Sequence, residues 1–277
     1  MWPPEREFKA NSLMTAPLKT NLRRCRGNKS SVRLNHFTRP CLLASLCAAV
    51  LFLFVITNAS ATPNFPYTLD LASGSRVAFE GDSLIYGQDE TQAGRRPPIN
   101  GATQGRSVSP IPERLNELLK HKIQIENRGF PGDRTIDGLE RWRHVTNVAL
   151  VFIMYGTNDA MNFGGRPGGI LTLDDYVNNL KKLVNRRRLD GAKVVLMTAP
   201  PIGVPEWDVR VSPYRAEAKR VAAELDTPIL DTAEVLSSIS DKWVDGLHLN
   251  RNSLEMLAQF LSNHIQVTQS KEPANAP

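Results

Sequence analysis

Ser83 stands in Glu80-Gly81-Asp82-Ser83-Leu84, directly after the apolar run Arg76–Phe79. A serine on the turn that ends a strand lies at the edge of a sheet, near a helix N-terminus. That place suits a nucleophile, and it equally suits a helix cap. To attack, a serine needs a base to take its proton, and the base must be held in orientation. His248 sits in Trp243-Val244-Asp245-Gly246-Leu247-His248-Leu249-Asn250, with Asp245 three residues earlier. On a tight turn this spacing brings a carboxylate to the imidazole Nδ1 and leaves Nε2 free for Ser83. A local Asx-type turn beside an unrelated histidine gives the same pattern. His121 and His144 fall near helix ends, where solvent accounts for them, and His264 falls on the last helix.

Attack on a carbonyl also needs donors for the oxyanion that develops. The run Lys122–Glu126 leads into Asn127-Arg128-Gly129-Phe130-Pro131-Gly132, and Gly129 can turn its amide outward with no side chain in the way. Val148–Tyr155 leads into Gly156-Thr157-Asn158-Asp159, where Asn158 offers a side-chain amide. The amide of Ser83 is the third donor. Gly129 and Asn158 also read as ordinary turn or cap residues. The glycine pattern of a phosphate cradle is missing, which disfavours a nucleotide cofactor. Tyr86, Tyr155, Met161, Phe163, Ile202, Trp207 and Trp243 fall on or beside the same loops as candidate substrate contacts. Trp207 either stacks on a sugar or lines an acyl pocket, or it pins its loop to the domain.

The elements that must position these groups follow from periodicity. Five short apolar runs, the three above with Lys193–Thr198 and Pro228–Leu230, end in Gly, Pro, Asn or Asp and read as buried parallel strands. Helical spacing appears over Pro112–His121, Asp133–His144, Thr172–Leu189, Pro213–Leu225 and Ser253–Val267. Thr172 can cap the third of these, and Gly191 follows its end. Trp142 falls at helical spacing and reads as a packing residue. Strands alternating with helices make an α/β fold, a parallel sheet covered on both faces. Its site is expected at the strand C-termini, near the long loops Tyr86–Arg106 and Ala160–Ile170.

With those blocks in hand, the sequence resembles the SGNH hydrolase family, also called GDSL lipases and esterases. The blocks are G-D-S-L at Gly81–Leu84, N-x-G-x-x-G at Asn127–Gly132, G-x-N-D at Gly156–Asp159 and D-x-x-H at Asp245–His248, in that order. The resemblance implies a flavodoxin-like three-layer α/β/α sandwich with a five-stranded parallel sheet, and a serine hydrolase with no metal or cofactor. It implies Ser83 as nucleophile, His248 as general base and acid, and Asp245 as the orienting carboxylate. Gly129 and Asn158 would form the oxyanion hole with the Ser83 amide. The expected substrates are short-acyl esters, such as O-acetyl groups on envelope or extracellular carbohydrate. Lysophospholipase, arylesterase and acyltransferase activities fit the same site, and a carbohydrate-binding or envelope scaffold domain is the non-enzymatic alternative.

The charge of the 277-residue chain is +6, from 34 Lys and Arg against 28 Asp and Glu. The excess is local. Residues 1–40 hold nine basic and two acidic side chains, so the remainder is close to neutral at −1. A folded face that neutralises nucleic-acid phosphates is therefore not expected. Residues 41–57, CLLASLCAAVLFLFVIT, are uncharged and are followed by Asn58-Ala59-Ser60-Ala61. A positive flank, an apolar stretch and a small-x-small site form a secretory signal peptide cleaved after Ala61. The alternative is an uncleaved anchor, which would be the chain's one contact with a membrane, since about 17–25 apolar residues span a bilayer. Both alternatives put a domain of residues 62–270 outside the cytoplasm, periplasmic or secreted, ahead of a flexible tail at 271–277. Cys25, Cys41 and Cys47 all precede Ala61, so that domain has no thiol for a disulfide, a metal or a nucleophile.

Overall fold

The computed structural model describes residues 65–91, 96–144 and 147–269, all within the unit Thr57–Pro277. The expectations for the basic arm, the apolar segment, its cleavage site and the tail at 271–277 lie outside the described residues. Among those described, no helix is long and apolar enough to cross a membrane. The elements run β1 (Leu69–Ala72), β2 (Arg76–Gly81), α1 (Ser83–Tyr86), α2 (Ile111–Leu118), β3 (Gln124–Gly129), α3 (Thr135–Arg141), β4 (Leu150–Met154) and α4 (Thr157–Met161). They continue with α5 (Leu173–Leu189), β5 (Lys193–Met197), α6 (Pro205–Glu224), β6 (Ile229–Leu230), α7 (Thr232–Val235), α8 (Arg251–His264) and β7 (Ile265–Thr268).

The main sheet has five parallel strands in the order β3-β2-β4-β5-β6. Successive side chains on a strand point to opposite faces, so each strand feeds two cores. Val77, Phe79, Phe152, Met154 and Met197 pack with Ile111 and Leu115 of α2 and with Leu254, Leu257 and Leu261 of α8. Ala78, Val151, Ile153, Val194 and Leu196 pack on the other face with Leu180, Leu183 and Val184 of α5 and Val211 and Val221 of α6. The chain moves outward from β2 to β3 and then returns to β4 on the other side. That reversal opens a crevice at the C-terminal ends of β2 and β4, where ligands bind in sheets of this kind.

Among the differences from the sequence-based expectation, two concern the long helices α6 and α8. The last helix stops at His264 rather than Val267, because Ile265–Thr268 forms β7 and pairs in parallel with β1. Ile265 is buried and Gln266 exposed there, a period of two that the longer helical pattern masked. The helix expected from Pro213 begins eight residues earlier, with Pro205 in its first turn. Pro213 lies inside it on an exposed side, where the carbonyl of Val209, itself exposed, has access to solvent. Thr172 caps α5 as expected, its hydroxyl accepting from the Asp175 N–H at 3.1 Å.

Beneath the site, Glu80 and Arg187 are both fully buried. Arg187 Nε donates to both Glu80 oxygens, at 2.8 and 3.0 Å, and its other nitrogens reach Asp190 and the Trp142 carbonyl. Burial of an ion pair costs solvation, and removal of Arg187 leaves the buried Glu80 with only the longer 3.4 Å contact from Arg128 Nη1. Arg187→Met is therefore expected to lower unfolding free energy by about 3–5 kcal/mol in urea denaturation at neutral pH. Adding Glu80→Gln should recover much of it. A loss below about 1 kcal/mol for the single variant would show that the pair does not hold this layer together.

Candidate active site

Ser83 is the first residue of α1, and Asp82 is its N-cap, with the Asp82 Oδ1 accepting from the Leu84 N–H at 2.9 Å. The short helix follows β2 without a linker, so the serine is fixed at the sheet edge. His248 Nε2 lies 3.0 Å from Ser83 Oγ. His248 Nδ1 lies 2.7 Å from Asp245 Oδ2. Asp245 Oδ1 also accepts from the backbone N–H groups of His248 at 2.7 Å and Leu247 at 2.9 Å. The histidine is 8 % exposed, while the Asp245 side chain is about half-exposed. Partial burial pushes the Asp245 carboxyl up, but the His248 ring and the two N–H groups outweigh it and hold the carboxyl at about 2.

The loop that presents the histidine is tied at several points. Trp243 and Leu249 form an antiparallel bridge, and the Val244 N–H donates to the His248 carbonyl at 2.9 Å. Gly203, after β5, donates to the Gly246 carbonyl at 2.8 Å, and Trp243 Nε1 donates to the Pro201 carbonyl at 2.8 Å. A Cβ on Gly203 would press on the Trp243 ring at 2.9 Å and on Gly246 Cα at 3.2 Å, so only glycine allows these loops to meet. Trp243 is thereby a packing residue, and Ile202, which directly precedes Gly203, is buried.

Asn158 is buried near the start of α4, and its Nδ2 donates to Asp82 Oδ2 at 3.2 Å. One amide hydrogen is thus held and the other is left for a ligand. Gly129 does not fill the donor role expected of it. Its N–H is bonded to Asn127 Oδ1 at 3.0 Å. Its lack of a side chain serves packing instead, since a Cβ would collide with the backbone of Tyr86. Asn127 completes that contact by donating to the Ile85 carbonyl and to Glu113, both at 3.0 Å. Further along the loop, Gly132 has φ +79°, and among the described residues no hydrogen bond to its N–H is found.

The proposed substrate contacts separate into two groups. Tyr86 is buried, its hydroxyl donating to the Gln104 carbonyl at 2.7 Å and its ring lying under Arg106. Tyr155 is buried in the α5–α6 face of the core, its hydroxyl against Gly138. Tyr86 is thus covered by its own loop and Tyr155 by the core, and neither presents an exposed surface. Met161, Trp207 and Leu247 are each partly buried against that core. Phe163, 38 % exposed, meets Trp207 edge to face with ring centroids 5.0 Å apart. Of the remaining histidines, His121 and His144 are exposed, and His264 is half-buried against Phe65 and Phe260. Trp142 is half-buried beneath Arg128.

A serine, an imidazole and a carboxylate in hydrogen-bonded sequence at the C-terminal edge of this sheet define a hydrolase of the SGNH fold. The chain belongs to the GDSL-like lipase/acylhydrolase family, whose model matches residues 79–252, and it is an enzyme that hydrolyses ester bonds. It is 26 % identical over 196 residues to the isoamyl acetate-hydrolyzing esterase 1 homolog of Rattus norvegicus, covering 59 % of this chain and 75 % of that protein. The human homolog is 25 % identical over 195 residues with the same coverage. Among solved structures, an acetylxylan esterase from Geobacillus stearothermophilus has a TM-score of 0.53 at 22 % identity, covering 70 % of this chain and 94 % of that one. A lipase/acylhydrolase from Enterococcus faecalis has a TM-score of 0.53 at 23 % identity, covering 68 % and 94 %. At these identities the solved structures show the fold alone.

Sequence reasoning passed over Asp82, which holds both the turn of the serine and the Asn158 amide. Its place inside G-D-S-L was the available signal. Burial pushes its carboxyl up to about 7, with the Leu84 N–H offsetting part of the shift. The folded protein therefore binds this proton more tightly than the unfolded chain, and stability declines as pH rises from about 4 through about 7. Asp82→Asn removes that contribution. Urea denaturation at about pH 5 and about pH 8 should show wild type losing more stability across the interval than the variant. Parallel losses would rule out Asp82 as the titrating group.

Proposed function

We propose that this esterase works through an acyl-enzyme on Ser83 and that its substrates are short-acyl esters, such as O-acetyl groups on carbohydrate outside the cytoplasm. The observation that carries the serine mechanism is the unbroken chain from Ser83 Oγ through His248 to Asp245, with contacts of 3.0 and 2.7 Å. His248 Nε2 takes the hydroxyl proton as Oγ bonds to the ester carbonyl carbon. Asp245 keeps the proton on Nδ1 and balances the imidazolium. The leaving alcohol receives the proton from Nε2, and water then repeats the cycle on the acyl group. The oxyanion donors in this reading are the Ser83 N–H, the second Nδ2 hydrogen of Asn158 and the N–H of Gly132, which replaces Gly129.

The choice of acyl group draws on two relatives. The rat relative is named for hydrolysis of isoamyl acetate, and the structural neighbour is named an acetylxylan esterase. The two alcohols differ and the acetyl group is common to both. The half-exposed Phe163–Trp207 pair supports a carbohydrate on the alcohol side, because an aromatic face suits the apolar face of a sugar ring. Export rests on the apolar segment 41–57 and its basic flank.

The test is a panel of acetyl, butyryl and long-chain p-nitrophenyl esters with an acetylated polysaccharide, run with and without an added sugar acceptor. Acetyl esters are expected to react fastest and to yield free acetate. Preference for long chains would overturn the substrate class, and transfer to the acceptor would make the protein an acyltransferase. Ser83→Ala should lower turnover by about 10³-fold or more and abolish labelling by a fluorophosphonate. Retained activity in that variant would refute the mechanism.

A further inference from the structure

Phe130-Pro131-Gly132-Asp133 forms a turn closed by the Asp133 N–H donating to the Phe130 carbonyl at 3.2 Å. Proline in the second place and a glycine at φ +79° in the third give a type II turn. The Pro131–Gly132 peptide at its centre is trans, so its C=O and its N–H point in opposite directions. The C=O side is occupied. Arg166 Nη2 donates to the Pro131 carbonyl at 3.1 Å, and Arg166 Nε approaches the Gly132 carbonyl at 3.5 Å. The opposite side carries the unpaired Gly132 N–H. The turn starts beside the nucleophile's strand, since the Phe130 N–H donates to the Gly81 carbonyl at 3.0 Å.

Arg166 is itself firmly placed. Its Nη2 also donates to Asp133 Oδ1 at 2.8 Å, and Asp133, fully buried, is held from its other side by Arg141 at 2.7 and 2.9 Å. The Arg166 N–H donates to Asn162 Oδ1 at 2.9 Å, and Asn162 Nδ2 returns a bond to the Arg166 carbonyl at 3.1 Å. Gly164 lies flat on Gly132. A Cβ on either would come within 2.8 Å of the other's Cα, so the loop carrying Arg166 and the turn fit only as two glycines. Arg134, reaching the carbonyls of Pro167 and Gly169 at 3.0 and 2.6 Å, clasps the far end of the same loop.

We infer that Arg166 is a positioning residue that aims and strengthens the Gly132 N–H as an oxyanion donor, acting through the carbonyl of the same peptide. A cation bonded to an amide oxygen draws electron density along the C–N bond and leaves the N–H more positive, as in other charge-assisted chains. It also fixes the peptide plane before substrate arrives, which is what makes such donors effective. The inference rests on the reading of Gly132 as a donor to the Ser83 reaction.

The experiment uses the full chain with Arg166→Gln, Arg166→Ala and Ser83→Ala. It reads kcat and KM on an acetyl ester, affinity for a trifluoromethyl ketone that mimics the tetrahedral intermediate, and rescue by added guanidinium. Arg166→Gln keeps a donor for the Pro131 carbonyl without the charge. It should fold and lose about tenfold in kcat, with KM changed by less than about twofold. Arg166→Ala should lose about 10²-fold, with ketone affinity falling in parallel, and guanidinium should restore part of both, because the Arg166 side chain is 28 % exposed. A clasp with only a structural part predicts lower thermal stability with kcat and ketone affinity unchanged in Arg166→Gln, and that result overturns the inference. An active Ser83→Ala would instead overturn the serine mechanism beneath it. An inactive Ser83→Ala beside a fully active Arg166→Gln removes this inference alone.

Discussion

The 3.0 Å contact between Ser83 Oγ and His248 Nε2 joins groups separated by 165 residues, and the rest of the site is arranged around it. Neither partner could hold that distance on a free chain. Ser83 is fixed because α1 starts on the last residues of β2, and β2 lies inside the sheet with β3 and β4 on either side. His248 is fixed because its loop is tied to the β5 loop by Gly203, Gly246 and Trp243. Alignment of all five strands in one direction puts their C-terminal ends at a common edge, and the connections there meet at the crevice between β2 and β4.

That edge is held by buried acidic groups rather than by apolar packing alone. Glu80, Asp82, Asp133 and Asp159 are all buried. Each is matched to a different donor: Glu80 to Arg187, Asp82 to the Leu84 and Asn158 N–H groups, Asp133 to Arg141 and Arg166, and Asp159 to the Thr135 N–H and hydroxyl. Desolvation raises the carboxyl pKa of all four, to about 7 for Asp82 and about 6 for Asp159. Apolar residues of similar volume often stabilise a core better than such pairs. What directional bonds add is orientation. Asp82 fixes the Asn158 amide, and Asp133 fixes the guanidinium behind the Gly132 peptide.

The aromatic residues show where reading from a list of loops breaks down. Tyr86 and Tyr155 lie at the ends of α1 and β4, close in sequence to the site, yet the first is covered by its own loop and the second is buried in the core. Phe163, from the loop after α4, and Trp207, from the first turn of α6, meet edge to face. Their pairing depends on a glycine-rich loop pressed against the Phe130–Asp133 turn by Arg134 and Arg166. The loop that carries Phe163 and the proposed donor peptide are thus parts of one clasped unit.

Residue order alone determined the class of chemistry and the class of fold. The four short blocks name the reacting groups, and β-branched runs broken by glycine and proline mark five parallel strands. These features are local, and local composition and period carry them. The β1–β7 pair was hidden because the four residues after His264 continue a helical pattern and acquire their strand partner only from the far end of the domain. The proposed donor on the N-x-G-x-x-G loop rests on tertiary structure for a similar reason. Gly129 and Gly132 are alike as letters, and a peptide N–H has a direction only once its plane is set. Asn127 turns one of those amides inward and Arg166 grips the carbonyl behind the other, and both partners are placed by long-range packing that spacing cannot encode.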